Sequence, residues 1–288
     1  MISALLAALR PKQWTKNVVI FAGLVFAQQF FHLPALLTSL LAFVAFSLNA
    51  SSVYLINDIQ DLERDRLHPV KRLRPLPAGR LSVKLAVWVS LLLAVGSLAL
   101  AFTLNVRFGQ VLAFYWVMML AYSLKLKHLV VVDILIISAG FVLRAISGAL
   151  VLDVMISRWL LACTIFLSLF LILAKRRNEI VELGQGAAGH RAILLEYGDR
   201  FLDQMISIAT ACTIISYVLY TVDPETVEKF RTHNLILTVP FVIYGIFRYL
   251  YLVYQRNLGG RPEVVLLTDR PLVLSVVLWI AAAMAIVY

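Results

Sequence analysis

The residues best able to do chemistry lie between Asn57 and Gly79, in the stretch NDIQDLERDRLHPVKRLRPLPAG. There Asn57, Asp58, Asp61 and Asp65 are followed at once by His68, Lys71, Arg72, Arg74 and, just beyond, Arg80. At ~100° per residue on a helix, Asp58, Asp61 and Asp65 fall within roughly 60° of one another and form one acidic stripe. Three carboxylates converging on a point repel unless a cation lies between them. Hard oxygen donors of this kind suit Mg²⁺, which keeps several waters and shares itself with substrate phosphates. The bases downstream have the charge and donor geometry to hold the remaining phosphate. A merely solvated loop has no reason to segregate acids from bases or to space the acids at a helical period. The expectation is therefore a Mg²⁺ site on Asp58, Asp61 and Asp65, with Asn57 orienting it and Lys71, Arg72 and Arg74 binding an anionic substrate.

The elements that must position these residues are membrane helices. The chain has 288 residues, of which 61% are hydrophobic and only 15% charged, more apolar surface than a soluble fold can hide. Cys163 and Cys212 lie in apolar runs, far from any metal-ligand spacing, and read as reduced packing residues. The net charge of +10 does not indicate nucleic acid, because the bases sit at the ends of apolar runs, where they set topology and meet anionic groups at the lipid surface. Met1–Leu9 is too short for a signal core and is followed by Arg10-Pro11-Lys12, so no cleaved signal is expected.

Runs long enough to cross the hydrocarbon core fall at about 17–33, 34–56, 82–104, 108–124, 129–151, 157–174, 201–222, 234–254 and 271–288. Nine spans, all helical, give an all-α polytopic membrane bundle over residues 1–288 with no separate soluble domain. Alternate connections differ sharply in Lys and Arg. One side collects the bases of 10–16, 57–84, 125–127, 175–200 and 256–270; the other has Arg107, Arg158, Lys229 and Arg231. This asymmetry puts the N-terminus in the cytoplasm, the C-terminus outside and the polar motifs on the cytoplasmic face.

Further candidates lie on that same face. Lys12 and Lys16, four apart beside Trp14, would point the same way on an α-helix, either as an interfacial anchor or around a lipid phosphate. Tyr122, Ser123, Lys125 and Lys127 precede Asp133 and the intramembrane Arg144. The last two share a helix face but stand three turns apart, so each needs a partner elsewhere. Arg144 could make an interhelical hydrogen bond or touch substrate; Gly140 and Gly148 read as close-packing positions. Lys175, Glu179 and Glu182 share a face, as a local Lys–Glu pair or as a second cytoplasmic lip. Gly184, Gly186 and Gly189 form a loose loop. Tyr197, Asp199 and Asp203 could help close the site.

With these residues assembled, the chain resembles the UbiA superfamily of intramembrane prenyltransferases. Asn57-Asp58-x-x-Asp61-x-x-x-Asp65 followed by Arg74-Pro75-Leu76-Pro77-Ala78-Gly79 matches its first aspartate-rich motif. The likeness is closest to the decaprenyl-phosphate phosphoribosyltransferase branch, through Arg10-Pro11-Lys12-Gln13-Trp14-x-Lys16-Asn17, His68-Pro69-x-Lys71-Arg72, Tyr122-Ser123-x-Lys125-x-Lys127-His128, Lys175-Arg176, Pro262-Glu263 and Asp269-Arg270. The resemblance implies transfer of a phosphoribosyl group from phosphoribosyl pyrophosphate to a polyprenyl phosphate. Pyrophosphate would be released, in a bacterial plasma membrane, to feed arabinofuranose donors for the cell envelope. Where the wider superfamily carries a second D-x-x-x-D, this chain has Lys175 and Glu179, which puts a second Mg²⁺ in doubt and fits a substrate richer in phosphate.

On that reading Lys175 and Arg176 hold the ribose 5′-phosphate, and Lys12, Lys16, Lys125 and Lys127 hold the lipid phosphate. Two alternatives stay open: prenyl transfer from a diphosphate to an aromatic acceptor, and a non-catalytic lipid carrier. Membrane lipid is a partner in every case, and a homo-oligomer is compatible with the sequence.

Overall fold

The computed structural model describes residues 2–183, 196–260 and 262–288. Among these, all regular structure is helical. The helices are α1 (Ile2–Leu9), α2 (Ala22–Phe26), α3 (Leu33–Gln60), α4 (Leu62–Leu67), α5 (Val83–Leu104), α6 (Val106–Leu124) and α7 (Val132–Leu150). They continue as α8 (Arg158–Leu183), α9 (Asp199–Val222), α10 (Pro224–Phe230), α11 (Val239–Arg256), α12 (Pro262–Thr268) and α13 (Arg270–Val287). The glycine run of 184–189 lies outside the described residues, as do the side chains of Glu182 and Asp199.

Seven described helical segments are long and apolar enough to cross a membrane. Two of the nine expected spans fall short of that measure. Residues 108–124 form most of α6, a 19-residue helix. Residues 17–33 do not form one helix: Pro11–Phe21 is a 3₁₀ segment, α2 adds five residues, and a turn leads into α3. A 3₁₀ segment rises faster than an α-helix and turns every three residues, so an α-helical period misjudges which residues share its face.

The chain divides into two compact units. The first comprises Met1–Ile136 with Leu143–Val154, and the second Ile137–Val142 with Met155–Tyr288. In the first, α3 packs on α5 and α6 through a stripe of small residues. Ala42, Ala45, Ala50, Ser39, Ser47 and Ser51 are all buried on α3, letting backbones approach where lipid supplies no hydrophobic drive. Phe46, Phe108, Leu112 and Tyr115 fill the remaining core. Polar groups tie the helices together: Asn49 donates to Ser97 at 3.1 Å and Trp116 to Ser52 at 3.1 Å. Side-chain caps start two helices, Ser82 accepting from Leu85 N–H and Asn105 from Arg107 N–H. Gly148 does act as a packing position: a Cβ there would stand 2.1 Å from the carbonyl oxygen of Ile20.

The second unit is held by α8 against α9 and by α11 against α13. Phe170 meets Tyr249 at a centroid distance of 5.4 Å. Tyr217 shares a 2.6 Å hydrogen bond with Thr238 and accepts from Trp279 at 2.7 Å.

Candidate active site

The acidic row sits at the end of α3, but it is not one helical row. Asp58 is on the last turn of α3, the helix breaks at Asp61 (φ −89°, ψ 8°), and Asp65 is carried by α4. The backbone stays tight through the break, with Asp61 N–H donating to Asn57 O at 2.9 Å and Asp65 N–H to Asp61 O at 2.8 Å. The break separates the acids. Asp58 and Asp65 are buried, at 1% and 2% exposure, and both accept from the same Nη1 of Arg74, at 3.0 and 2.7 Å. Arg10 donates to the same Asp58 oxygen that Arg74 reaches, and Lys71 stands 3.8 Å from Asp65. Asp61 is paired elsewhere, with Lys127 Nζ at 2.8 and 3.0 Å from its two oxygens.

Local sequence explains how the bases arrive. After Arg74, the Pro75–Gly79 segment folds into a tight turn in which Ala78 N–H reaches Arg74 O and Arg80 N–H reaches Pro75 O. Gly79 takes φ +71°, open to a residue without Cβ. Leu76 is the anchor of this turn, buried with Ala8, Leu55, Leu81 and Ala86, so the turn cannot swing and Arg74 is aimed at the acids. Arg10 joins α1 to the 3₁₀ segment in a left-handed conformation (φ 54°, ψ 58°), one that non-glycine residues reach only at a cost. Its guanidinium lies 5.1 Å from the centre of the Tyr54 ring.

The expected three-carboxylate metal site is therefore not assembled. Among the described residues no group of three His, Cys, Asp or Glu side chains could hold a metal ion. Asp58 and Asp65 nevertheless fit a hard cation. They are two buried carboxylates already sharing one positive group, and Mg²⁺ is commonly held by one or two carboxylates with water and substrate phosphate completing its shell.

The UbiA prenyltransferase family model matches residues 17–268, a span that includes the whole acidic segment and the bases around it. The chain belongs to the UbiA prenyltransferase family. It is thus an integral membrane transferase. It is 35% identical to a decaprenyl-phosphate phosphoribosyltransferase of Mycobacterium tuberculosis, over all of this chain and 95% of that one. It is 34% identical to the protein of the same name from Corynebacterium glutamicum, over all of this chain and 88% of that one. Among solved structures, a UbiA homolog from Archaeoglobus fulgidus bound to GPP and Mg²⁺ superposes with a TM-score of 0.74 over 99% of both chains at 19% identity, a likeness of fold.

Other expected residues of this UbiA-family chain fall into three groups. Around the acids, Asn57 is half-buried and Arg72 exposed. Lys12 and Lys16 do not share a face, because at 3.0 residues per turn a separation of four places them about 120° apart; Lys12 is exposed and Lys16 half-buried. Tyr122 is buried, Lys125 exposed, and Lys127 is buried on Asp61.

Arg144, the second group, is built into the core of the first unit. Its Nε donates to Asn17 at 2.7 Å and its Nη2 to Tyr115 at 2.9 Å, and the guanidinium lies 5.0 Å from the Phe46 and Tyr115 ring centres. Those partners come from other elements, as an intramembrane Arg three turns from Asp133 requires, and the interhelical role accounts for it.

In the second unit, Glu179 accepts from Arg176 at 2.6 Å and lies 3.9 Å from Lys175. Asp203 takes Arg177 at 2.7 Å and the Tyr254 hydroxyl at 2.9 Å, so it is a partner of α8 and α11. Tyr197 is buried. Two features had no clear sequence signal. Arg10 stands in the sequence only among the bases beside an apolar run, because its partner Asp58 is 48 residues away. Arg248 pairs with Asp269 through two bonds of 3.0 and 2.8 Å; the cap position of Asp269 before Arg270-Pro271 was the visible half of that pair.

Proposed function

We propose that this protein transfers the 5-phosphoribosyl group from phosphoribosyl pyrophosphate to a polyprenyl phosphate of decaprenyl type, releasing pyrophosphate. The observation that carries the reading is the composition of the site: Asp58, Asp61 and Asp65 are outnumbered by Arg10, Lys71, Arg74 and Lys127, with Arg72 exposed beside them. A reaction that gathers a diphosphate, a 5′-phosphate and a lipid monophosphate needs that balance. The full-length likeness to enzymes named for this reaction supports it.

Asp58 and Asp65 would hold Mg²⁺, which when bound neutralises charge on a diphosphate leaving group. Arg74, Lys71 and Arg72 bind the diphosphate, and their fixed charge acts where negative charge grows as the C1–O bond breaks. A lipid phosphate oxygen forms the new bond to C1 while the electron pair of the broken bond leaves with pyrophosphate. That nucleophile is already anionic, so no side chain has to take a proton. Lys127 fixes Asp61 at the rim. The exposed Lys125 is assigned to lipid phosphate.

The whole chain forms one transferase domain crossing the plasma membrane nine times, with the N-terminus and the chemistry on the cytoplasmic side and the C-terminus outside. Its product serves arabinofuranose donor synthesis for the envelope. The test offers purified protein phosphoribosyl pyrophosphate plus polyprenyl phosphate, and separately prenyl diphosphate plus an aromatic acid, with Mg²⁺ and with chelator. A phosphoribosylated lipid of the right mass in the first mixture alone, lost in chelator, is the expected outcome. Product only in the second would make the protein an aromatic prenyltransferase.

A further inference from the structure

Resting on the proposed diphosphate site, we infer that Arg10 and Arg74 are exchangeable counter-cations. They hold Asp58 and Asp65 until a metal–diphosphate complex arrives, then pass from carboxylate to phosphate, so that metal and diphosphate load together and the metal alone loads poorly. Three observations lead there. Asp58 and Asp65 are buried and share one guanidinium nitrogen, so the position between the two carboxylates already holds positive charge. Asp58 takes a second guanidinium, from Arg10, on the same oxygen. Arg10 is itself held in a left-handed backbone conformation, which non-glycine residues reach only at a cost, with its guanidinium against the Tyr54 ring.

Charge bookkeeping gives the coupling. A divalent ion entering by itself would stand beside two guanidinium groups that lose their carboxylates and find no new anion. A metal carrying a diphosphate brings that anion with it, and a guanidinium matches phosphate oxygens as well as it matches carboxylate. Every cation then keeps an anionic neighbour and every carboxylate keeps a cation. By linkage, diphosphate must tighten metal binding and metal must tighten diphosphate binding by the same factor. Arg10, outside the aspartate-rich segment, becomes a positioning residue for metal entry.

The test measures Mn²⁺ retained in equilibrium dialysis by purified wild type, Arg10→Gln, Arg74→Gln and Asp58→Asn. Mn²⁺ is supplied alone or as its preformed pyrophosphate complex, and each protein is first checked for intact size and thermal unfolding in detergent. Wild type should bind the complex at least about tenfold more tightly than the free ion, within the usual range of coupling between sites. Arg10→Gln and Arg74→Gln should each bind free Mn²⁺ about tenfold more tightly than wild type and narrow the gap between the two forms, the opposite of what loss of a merely structural ion pair would do. Asp58→Asn should bind the free ion no better than wild type does. Should one glutamine variant fail to stay intact, the other carries the comparison. Unchanged or weaker binding of free Mn²⁺ in the arginine variants, with wild type still taking up the complex, overturns the exchange and leaves the proposed reaction standing. No uptake of either form by wild type overturns both.

Discussion

In the first unit, Asp58, Asp61 and Asp65 collect cations from across the chain: Arg10 lies 48 residues from Asp58, and Lys127 lies 66 residues from Asp61. In the second unit, Glu179 collects its cations from its own helix, Arg176 at i,i+3 and Lys175 at i,i+4. The two arrangements differ in what they cost. A partly exposed helical pair such as Lys175–Glu179 needs no tertiary structure and is worth about 0.3–0.5 kcal/mol. A carboxylate buried to the extent of Asp58 or Asp65 loses most of its hydration, and opposite charge regains that loss only when geometry and hydrogen bonding are good, so such pairs are weak sources of stability. A chain that assembles several of them from distant segments at one helix end gives up stability there, as the proposed substrate site would require. The local pairs of α8 carry no such implication.

The sharpest way to break this contrast is to remove one acid from the first cluster. Asp58→Asn and Asp65→Asn preserve size and keep a hydrogen-bond acceptor for Arg74, yet remove the charge. Each should lower phosphoribosyl transfer by about 10²–10³, the scale on which a single electrostatic group supports a transition state. Steady-state turnover at saturating Mg²⁺ reads this directly. Turnover within threefold of wild type in both variants would put the chemistry elsewhere.

Arg144 separates a buried charge held by packing from the buried charges proposed to serve substrate. Arg144→Met fills similar space but deprives Asn17 and Tyr115 of their partner, at about 1–3 kcal/mol for each group left unsatisfied. The thermal unfolding temperature in detergent should fall, by roughly 2–4 °C per kcal/mol if a soluble domain of comparable size is a guide. Metal affinity should stay as in wild type. An unchanged unfolding temperature with lost substrate binding would move Arg144 into the site.

How much of this was legible beforehand depends on sequence distance. Arg74 is 16 residues from Asp58 and 9 from Asp65, within one contiguous motif, so acids and base could be read as one site. The long apolar runs announced their helices. Asp61 could not be separated from its neighbours, because an unbroken helix was assumed where the chain breaks, and because Lys127 reaches it only through tertiary packing. Arg10 was hidden for the same reason. The 3₁₀ segment Pro11–Phe21 was misjudged because its last residues, Asn17–Phe21, run into the apolar stretch that reads as the start of a span, while nothing in the composition marks a period of 3.0, which alone undoes the pairing of Lys12 with Lys16.

The smallest expected effect concerns Arg248 and Asp269, a non-local ion pair of the second unit. The hydrogen bond from Arg248 holds the Asp269 carboxyl below the usual carboxylate range, against a smaller opposing effect of burial, with further help from Leu272 N–H at the start of α13. A depressed folded-state pKa means the ionised form is the one that folding favours. Its contribution is therefore complete above the unfolded value of about 3.9 and is lost as pH falls through the lower folded value. Solvent reaches this pair and screens it, so the contribution is small. Asp269→Asn should lower the unfolding temperature slightly at neutral pH and merge with wild type in acid below that range. A difference that instead grew on acidification would require Asp269 to favour its protonated form. The local and distant clusters would then differ in position but not in the kind of charge they preserve.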